Sequence, residues 1–322
     1  MRLSLLLLIL CLLGCSGGCG NREKGKDNGK APEPGGWAPD PESEEGKATA
    51  ALKNLGCVFR LNFLFPEKPL ELDLHESKVT DQDLAHLKYL PSVHRLNLGN
   101  AAITDSGLSH LRHLRKLEVL DLEAENVTDK GLAEVSRVTT LRTLFIIKAP
   151  RITGLGLKGL KNLTKLEELM VYGGKITDED LKYLSPLTRL KTLRFIDLKI
   201  KGSGLGHLKP LADLSYFQLS NTVLDDNALA HLKVFEKLEM IDLIGSQLGD
   251  AALIYLTSLP NLKALHLEGS TQITDKVIHI KAMKNLVSLN LTGNKVSAEG
   301  IAELRQAFPA MSLWDSAGRD VR

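Results

Sequence analysis

The chain has few cysteines, few aromatic residues and almost no excess charge, and these shortages limit the kinds of structure and partner that are expected. Its four cysteines, Cys11, Cys15, Cys19 and Cys57, lie near the start, so the long remainder can hold neither a disulfide framework nor a cysteine-ligated zinc site. The formal net charge is only +2, which gives no argument for nucleic acid or an acidic substrate as the partner. Aromatic residues make up 5% of the chain, as expected for a core filled by leucine.

Signatures of common catalytic sites are also missing from residues 70–310, because that part of the chain contains no G-x-S-x-G, H-E-x-x-H, P-loop or C-x-x-C motif. Histidines that each precede a leucine are spaced in pairs 24 residues apart, at His86, His110, His207 and His231. A two-histidine metal site is the alternative to a solvated or capping role on the outer flank of a helix, which we favour since no cysteine accompanies them. We therefore expect a protein that is not an enzyme and uses neither a cofactor nor a metal.

The dominant feature of the chain is an internal repeat over residues 70–310. Apolar residues recur every 24 residues, with one interval of 25, at Leu72, Leu96, Leu120, Leu144, Leu169, Leu193, Phe217, Ile241, Leu265 and Leu289. A second apolar residue lies two positions after each of these, and a third, mostly Val or Ile, follows in the next turn. A fixed period of this length is the signature of a solenoid of stacked units.

The repeated pattern is L-x-L, then I-T-D-x-G-L or a near copy, then L-x-x-L-x-x-L, and it resembles the leucine-rich repeat. The I-T-D-x-G-L variant is similar to the subtype of F-box-associated and many bacterial repeat proteins. The resemblance implies an α/β solenoid, a horseshoe of about ten 24-residue units with a concave parallel sheet and convex helices. Bacterial repeat proteins that act as ubiquitin ligases have a cysteine nucleophile in a separate C-terminal domain, and none is expected here because no cysteine follows Cys57.

Within each unit, the segment x-L-x-L-x predicts a short strand whose leucines point inward. The Thr-Asp pair that follows, as in Thr104-Asp105, is placed to cap the helical half, since a hydroxyl or carboxylate can accept from free backbone N–H groups. A cation site made of these acids is the alternative, but capping accounts for every member. Lys201-Gly202 replaces the pair in the sixth unit, so we expect that turn to be the loosest.

The first 14 residues predict a targeting segment, in which Arg2 supplies a positive charge and Leu3 begins an apolar run too short to span a bilayer comfortably. The run ends in Gly14-Cys15, which resembles a bacterial lipobox. We expect 1–14 to be a lipoprotein signal peptide and Cys15 the lipidation site, with an ordinary secretory signal as the alternative. Acyl chains such as palmitate would anchor the protein to a bacterial membrane in the cell envelope, facing the periplasm or the exterior.

The composition changes twice between the signal and the repeats. Residues 15–46 are rich in Gly, Pro, Lys, Glu and Asp and predict a disordered tether, in which Cys19 is a free thiol or a second acylation site. Residues 47–69 predict an N-terminal cap, a helix and then a short strand, with Cys57 as a small buried residue. A disulfide between Cys19 and Cys57 is the less favoured option. Residues 311–322 predict a last short strand and a frayed polar tail.

The residues that flank the strand leucines face outward from the expected concave sheet. They are polar in units one to three and again in units nine and ten. In units four to eight they are mostly apolar, and we expect an exposed partner-binding patch at Phe145, Ile147, Met170, Tyr172, Arg194, Ile196, Tyr216, Met240 and Ile244. An apolar centre with a polar rim is typical of protein-binding surfaces, whereas β-propensity alone is the other explanation.

The sequence therefore predicts a membrane-anchored, non-enzymatic scaffold that binds a protein or peptide, and not nucleic acid, on its concave face. Replacing Tyr172 and Phe145 together by alanine is expected to abolish capture of that ligand. An envelope spacer protein without a discrete ligand is the first alternative. A carbohydrate-binding module is the second, although the central patch is too aliphatic to suit sugars.

Overall fold

The structure, a computed structural model, describes residues 39–60, 70–99 and 102–321. Twelve strands in these residues form one sheet in sequence order. The first pair is antiparallel and the remaining pairs are parallel. The strands are β1 (Val58–Arg60), β2 (Leu70–Asp73), β3 (Val93–Leu98), β4 (Val119–Glu123), β5 (Thr143–Ile147), β6 (Glu168–Tyr172), β7 (Thr192–Ile196), β8 (Tyr216–Ser220), β9 (Met240–Asp242), β10 (Ala264–His266), β11 (Ser288–Asn290) and β12 (Ser312–Trp314).

Short helical segments connect the parallel strands, and a longer helix precedes the sheet. The α-helices of the described residues are Glu44–Asn54, Asp105–Leu108, Asp129–Val135, Gly154–Gly159, Ala252–Leu256 and Ala298–Ala307. The 3-10 helices of the same residues are Asp83–Tyr89, Ser109–His113, Leu160–Asn162, Asp178–Leu184, Leu205–Leu208, Asp226–Val234 and Asp275–Ala282. The tighter 3-10 form suits segments of only one or two turns.

Leucines at equivalent positions of neighbouring units form a continuous core. The strand register pairs Leu72 with Leu96 and Leu120 with Leu144, and all four are at most 1% exposed. Adjacent strands lie about 4.8 Å apart, so each leucine packs against its equivalents on both sides. Leu84 and its equivalents close the core from the helical side. The predicted α/β solenoid is confirmed.

The aspartates of the Thr-Asp pairs join neighbouring units. Asp105 accepts hydrogen bonds from the Thr128 backbone N–H at 2.8 Å, from its hydroxyl at 2.6 Å and from the Gly131 N–H at 3.0 Å. The prediction was right for the threonine hydroxyls, which cap several helices. It was wrong for the aspartates that reach the Thr or Ser of the next unit, which are Asp81, Asp105, Asp129, Asp250 and Asp275.

The glycine of the I-T-D-x-G-L motif leaves room for the aspartate of the preceding unit. A Cβ atom on Gly107 would lie 2.3 Å from Asp81 Oδ1. The arrangement is reversed between the fourth and fifth units, where Gly154 occupies the aspartate position. Asp180 then occupies the glycine position and accepts from the N–H and the hydroxyl of Thr177, in its own unit, at 2.9 Å each. Aspartate and glycine thus exchange places at this contact.

The turn of the sixth unit has no capping side chain of its own, and a carboxylate of the preceding unit binds its backbone instead. Asp178 of the preceding unit accepts from the backbone N–H groups of Lys201 and Gly202 at 2.8 Å and of Gly204 at 2.9 Å. Hydrogen bonds to a carboxylate are among the stronger ones in proteins. The expectation of a loose turn at Lys201-Gly202 is therefore not supported.

The helix that precedes the repeats begins earlier than the predicted cap. It starts at Glu44, inside the range 15–46 predicted to be a disordered tether, because Ser43 accepts from the Gly46 N–H as an N-cap and Glu44 and Glu45 provide an acidic first turn. Residues 1–38 and 61–69, which include the predicted signal peptide and part of the predicted cap, lie outside the described residues. None of the helices in the described residues is long and apolar enough to cross a membrane.

The polar tail that was expected to fray is folded back on the sheet. Asp315 is 5% exposed and accepts from the N–H groups of Ala317 and Arg319 at 2.9 Å. Asp320 then pairs in antiparallel fashion with Trp314. The tail therefore covers the edge strand β12, which would otherwise present unpaired backbone groups.

Candidate functional site

The concave sheet presents three columns of side chains between and beside the buried leucines. The strands are in register, so equivalent residues of neighbouring units lie side by side. From β4 to β8 the first column consists of Val119, Thr143, Glu168, Thr192 and Tyr216. The middle column consists of Asp121, Phe145, Met170, Arg194 and Gln218, and the last column of Glu123, Ile147, Tyr172, Ile196 and Ser220.

The middle column is buried and forms the floor of the concave face. Phe145, Met170 and Arg194 are only 6%, 3% and 5% exposed. Each has in-register neighbours about 4.8 Å away on both sides and a column of flanking side chains along each edge. The prediction that these three residues are exposed is wrong, because stacking of parallel strands covers them.

The flanking positions leave the other predicted binding residues partly accessible. They are half-buried and line the floor on both sides: Ile147, Tyr172, Ile196, Tyr216, Met240 and Ile244. The structure thus brings all nine predicted residues together on β5 to β9 and the turn after β9. Their role in binding a partner stays a prediction.

Charged side chains lie at the β2–β5 end of the same face. Arg95 donates to Asp121 Oδ2 at 2.7 Å, and Lys148 forms an ion pair with Glu123. Burial raises the pKa of Asp121, and the positive charge of Arg95 offsets only part of this effect. This end of the face therefore holds carboxylates that are poorly hydrated.

Glu168 lies next along the sheet, on β6. Burial raises the pKa of its carboxyl group, and Arg194 offsets part of this effect through its charge. The Arg194 side chain forms no ion pair with Glu168. Its Nε donates to Gln218 Oε1 at 2.8 Å, and its guanidinium lies 5.7 Å from the centre of the Tyr216 ring.

A second polar network lies at the β8–β10 end. The Tyr216 hydroxyl donates to Asp242 Oδ2 at 2.5 Å, and Asp242 Oδ1 lies 2.7 Å from His266 Nδ1. Burial and then the charge of Asp242 raise the pKa of Tyr216 far above its ordinary value, so it remains a neutral donor. A hydrogen bond from a buried tyrosine hydroxyl to a carboxylate holds both side chains in one arrangement.

The sequence prediction missed these charged residues as parts of the site. A signal was present, since Arg95 and Asp121 are 26 positions apart and Asp242 and His266 are 24 apart, which are the separations that stacked units bring together. The apolar pattern alone did not reveal which charges meet.

The remaining predicted sites have separate outcomes. Cys15 and Cys19 lie outside the described residues, so lipidation stays a prediction. Cys57 is a free, buried thiol whose pKa burial raises to about 11, which makes it unreactive and fits the predicted core role. In the described residues, no cluster of three or more His, Cys, Asp or Glu side chains could hold a metal ion.

Comparison with known proteins agrees with this architecture. A family model described as Leucine Rich repeat matches residues 89–111 and 282–304. An internalin of Listeria monocytogenes superposes with a TM-score of 0.55 and 23% identity, over 74% of this chain and 71% of that one. The fold is that of the leucine-rich repeat. The leucine-rich repeat receptor TLR13, solved in complex with ssRNA13, superposes with a TM-score of 0.52 and 20% identity.

That second superposition covers 70% of this chain and 36% of TLR13, so the chain spans about a third of the receptor. No curated protein sequence matches the chain. The concave face is formed by equivalent residues of many units, and it combines a buried floor with half-buried flanks. Such a surface suits an extended ligand that contacts several units at once.

Proposed function

We propose that this chain is a membrane-anchored, non-enzymatic scaffold that binds a protein or peptide on its concave sheet. The observation that supports this most is the set of half-buried apolar side chains beside a fixed floor, among them Tyr172 and Ile196 on the last column and Tyr216 and Met240 on the first. Tyrosine and methionine are enriched at protein interfaces, where they bury a large area. A floor that is already packed reduces the ordering that binding requires.

A protein ligand is favoured over nucleic acid for this chain. TLR13 was solved in complex with ssRNA13, so a leucine-rich repeat fold can accept RNA. Here, however, the β2–β6 part of the concave face presents the acidic residues Glu71, Asp73, Asp121, Glu123 and Glu168. Phosphate groups bind where lysine and arginine neutralise them, and an excess of carboxylates repels them.

The proposed anchor is Cys15, on the basis of the short apolar run that ends in Gly14-Cys15. We expect Cys15→Ser to abolish incorporation of labelled palmitate in a bacterial host and to release the protein from the membrane fraction. Cys19→Ser is the matched control and should retain both. Retention of the label by Cys15→Ser combined with Cys19→Ser would remove the anchor and the envelope location from the proposal.

Position-specific photocrosslinking tests the binding face. A benzoylphenylalanine residue replaces Tyr172 or Ile196 in the full-length chain, and Leu155, which is 65% exposed, is the control position. The same discrete protein adduct should form from positions 172 and 196, and not from 155. Adducts from all three positions, or from none, would contradict a concave protein site, and adducts with glycan alone would support the carbohydrate-binding alternative.

A further inference from the structure

We propose that the partner inserts a cationic side chain, an arginine or lysine of a basic peptide segment, beside Asp121 and Glu168 on the concave sheet. The inference rests on the proposed function and adds the chemistry of the partner at one end of the same face. It assigns a role to two carboxylates that are not explained by the fold.

The first observation is an unsatisfied buried carboxylate oxygen. Asp121 is 9% exposed, and its Oδ2 is bound by Arg95 at 2.7 Å. Its Oδ1 is buried and accepts no hydrogen bond from any residue that the structure describes. A buried charged oxygen without a donor costs free energy, and a ligand donor that displaces the side chains covering this oxygen would recover it.

The second observation is an excess of negative charge around Asp121. Three nearby cations are already paired, Arg60 with Asp73 at 3.1 Å, Arg95 with Asp121 at 2.7 Å and Lys148 with Glu123, whereas the buried Arg194 bonds to Gln218 and offsets only part of the effect of burial on Glu168. Within the described residues, Glu71 and Glu168 form no ion pair. The charges of Asp73 and Glu71 add to burial in raising the pKa of Asp121, and the charge of Asp121 does the same for Glu168.

The third observation is the position of these groups in the sheet. Asp121 is in register with Phe145 on β5, and Thr143, on the same strand, pairs with Glu168 on β6. Thus one strand separates the two carboxylates, a distance of about 10 Å between backbones. The half-buried Thr143 lies on the intervening strand in register with Glu168, and its methyl group offers apolar contact to the aliphatic stem of a lysine or arginine.

A side-chain cation fits these observations better than a metal ion. No cluster of His, Cys, Asp or Glu in the described residues has the composition of a metal site. An arginine also supplies planar donors suited to a carboxylate, and a partly desolvated pair of this kind gives both affinity and specificity. The apolar flanks on β6 and β7 would then bind the neighbouring residues of the same segment.

The test uses an array of unrelated nonapeptides, each synthesised with Arg, Lys, citrulline or Glu at its centre. Peptides that bind the purified full-length chain are measured by fluorescence anisotropy at low and moderate salt. We expect the Arg and Lys forms to bind at least about tenfold more tightly than the citrulline form, equivalent to about 1.4 kcal/mol. That preference should shrink only modestly as salt rises, because partly buried charge pairs are screened less than exposed ones.

Three variants locate the preference. Asp121→Asn with Glu168→Gln should remove it, while Glu303→Gln, an exposed acid on the Ala298–Ala307 helix, should leave it unchanged. Circular dichroism and urea denaturation of each variant establish that the fold is intact. Because Asp121→Asn alters the Arg95 pair, Glu168→Gln alone must also weaken the preference.

The outcomes separate this inference from the proposed function. Peptides that bind regardless of the central residue, and that are lost with Tyr172→Ala, would overturn the inference and leave the concave protein site in place. A charge preference that survives the double variant would also overturn it. Failure of every cationic peptide to bind would count against the inference, and crosslinking from positions 172 and 196 would still decide the proposed function independently.

Discussion

The hydroxyl of Thr128 donates a 2.6 Å hydrogen bond to Oδ2 of Asp105, although the two residues lie 23 positions apart in different units. The same carboxylate accepts from the Thr128 N–H and the Gly131 N–H. Three donors from the next unit thus converge on one side chain. In a solenoid, stability is the sum of each unit and its contacts with its neighbours, so this side chain strengthens the contact between units.

We expect Asp105→Ala to lower the free energy of unfolding by about 2–4 kcal/mol, because three hydrogen bonds to a charged acceptor are lost at once. Urea denaturation followed by circular dichroism measures the change. Asp105→Asn retains one acceptor oxygen and should lose less. Lys130→Ala, on the exposed face of the same turn, is the control and should change the value by less than about 0.5 kcal/mol.

A loss no larger for Asp105→Ala than for Lys130→Ala would contradict the role of this carboxylate. A broadened transition would have a different meaning. It would show that the units on the two sides of Asp105 unfold separately, as weakened contacts permit in repeat proteins.

The pKa of Glu168 predicts a pH dependence of stability with a definite sign. Burial raises this pKa in the folded state, so the carboxyl group contributes full stability below its unfolded pKa and loses it as pH rises through the folded pKa. Glu168→Gln removes the ionisable group. The variant should therefore be more stable than the wild type at pH 7.5, and the difference should shrink toward pH 4.

Urea denaturation at pH 4, 5.5 and 7.5 measures this difference, with Glu303→Gln as an exposed control that should show no such trend. An equal difference between Glu168→Gln and the wild type at all three values would show that the carboxylate is not desolvated. Greater stability of a variant that binds cationic peptides less well would fit a residue retained for binding rather than for folding.

The repeat and its strands could be predicted from the sequence because the 24-residue period places leucine at one position in every unit. The strand centres predicted from Leu72, Leu96 and Leu120 all lie in strands of one sheet. Exposure of the concave floor could not be predicted in the same way. Phe145 and Met170 alternate with the leucines as solvent-facing residues do, and only the spacing between stacked strands buries them.

The contact between aspartate and glycine illustrates a second limit. From one unit alone, the aspartate of the I-T-D-x-G-L motif would be assigned to its own helix, since acidic residues are common at helix N-termini. The partner of each aspartate becomes evident only when adjacent units are compared. Gly154 occurs where an aspartate is expected, and the next unit has Asp180 where a glycine is expected. This exchange is visible in the sequence once the contact is known.

The contact between aspartate and glycine leads to a final prediction, which is opposite to the one that helix propensity gives. Alanine is favoured over glycine within helices by about 1 kcal/mol, so Gly107→Ala would ordinarily stabilise the Asp105–Leu108 helix. Here the new Cβ would lie 2.3 Å from Asp81 Oδ1. We therefore expect Gly107→Ala to destabilise the wild-type protein by about 1–3 kcal/mol, as overpacked positions do.

The free-energy cost of Gly107→Ala should fall when Asp81 is replaced, because the new Cβ then no longer clashes with a carboxylate. A double-mutant cycle compares Gly107→Ala in the wild type and in an Asp81→Ser background, with unfolding free energies from urea denaturation. We expect the two substitutions to be less than additive by at least about 1 kcal/mol, as for residues in direct contact. Full additivity would mean that the glycine is needed for another reason, such as the 3.1 Å distance at which an added Cβ would lie from Ile103 Cγ2.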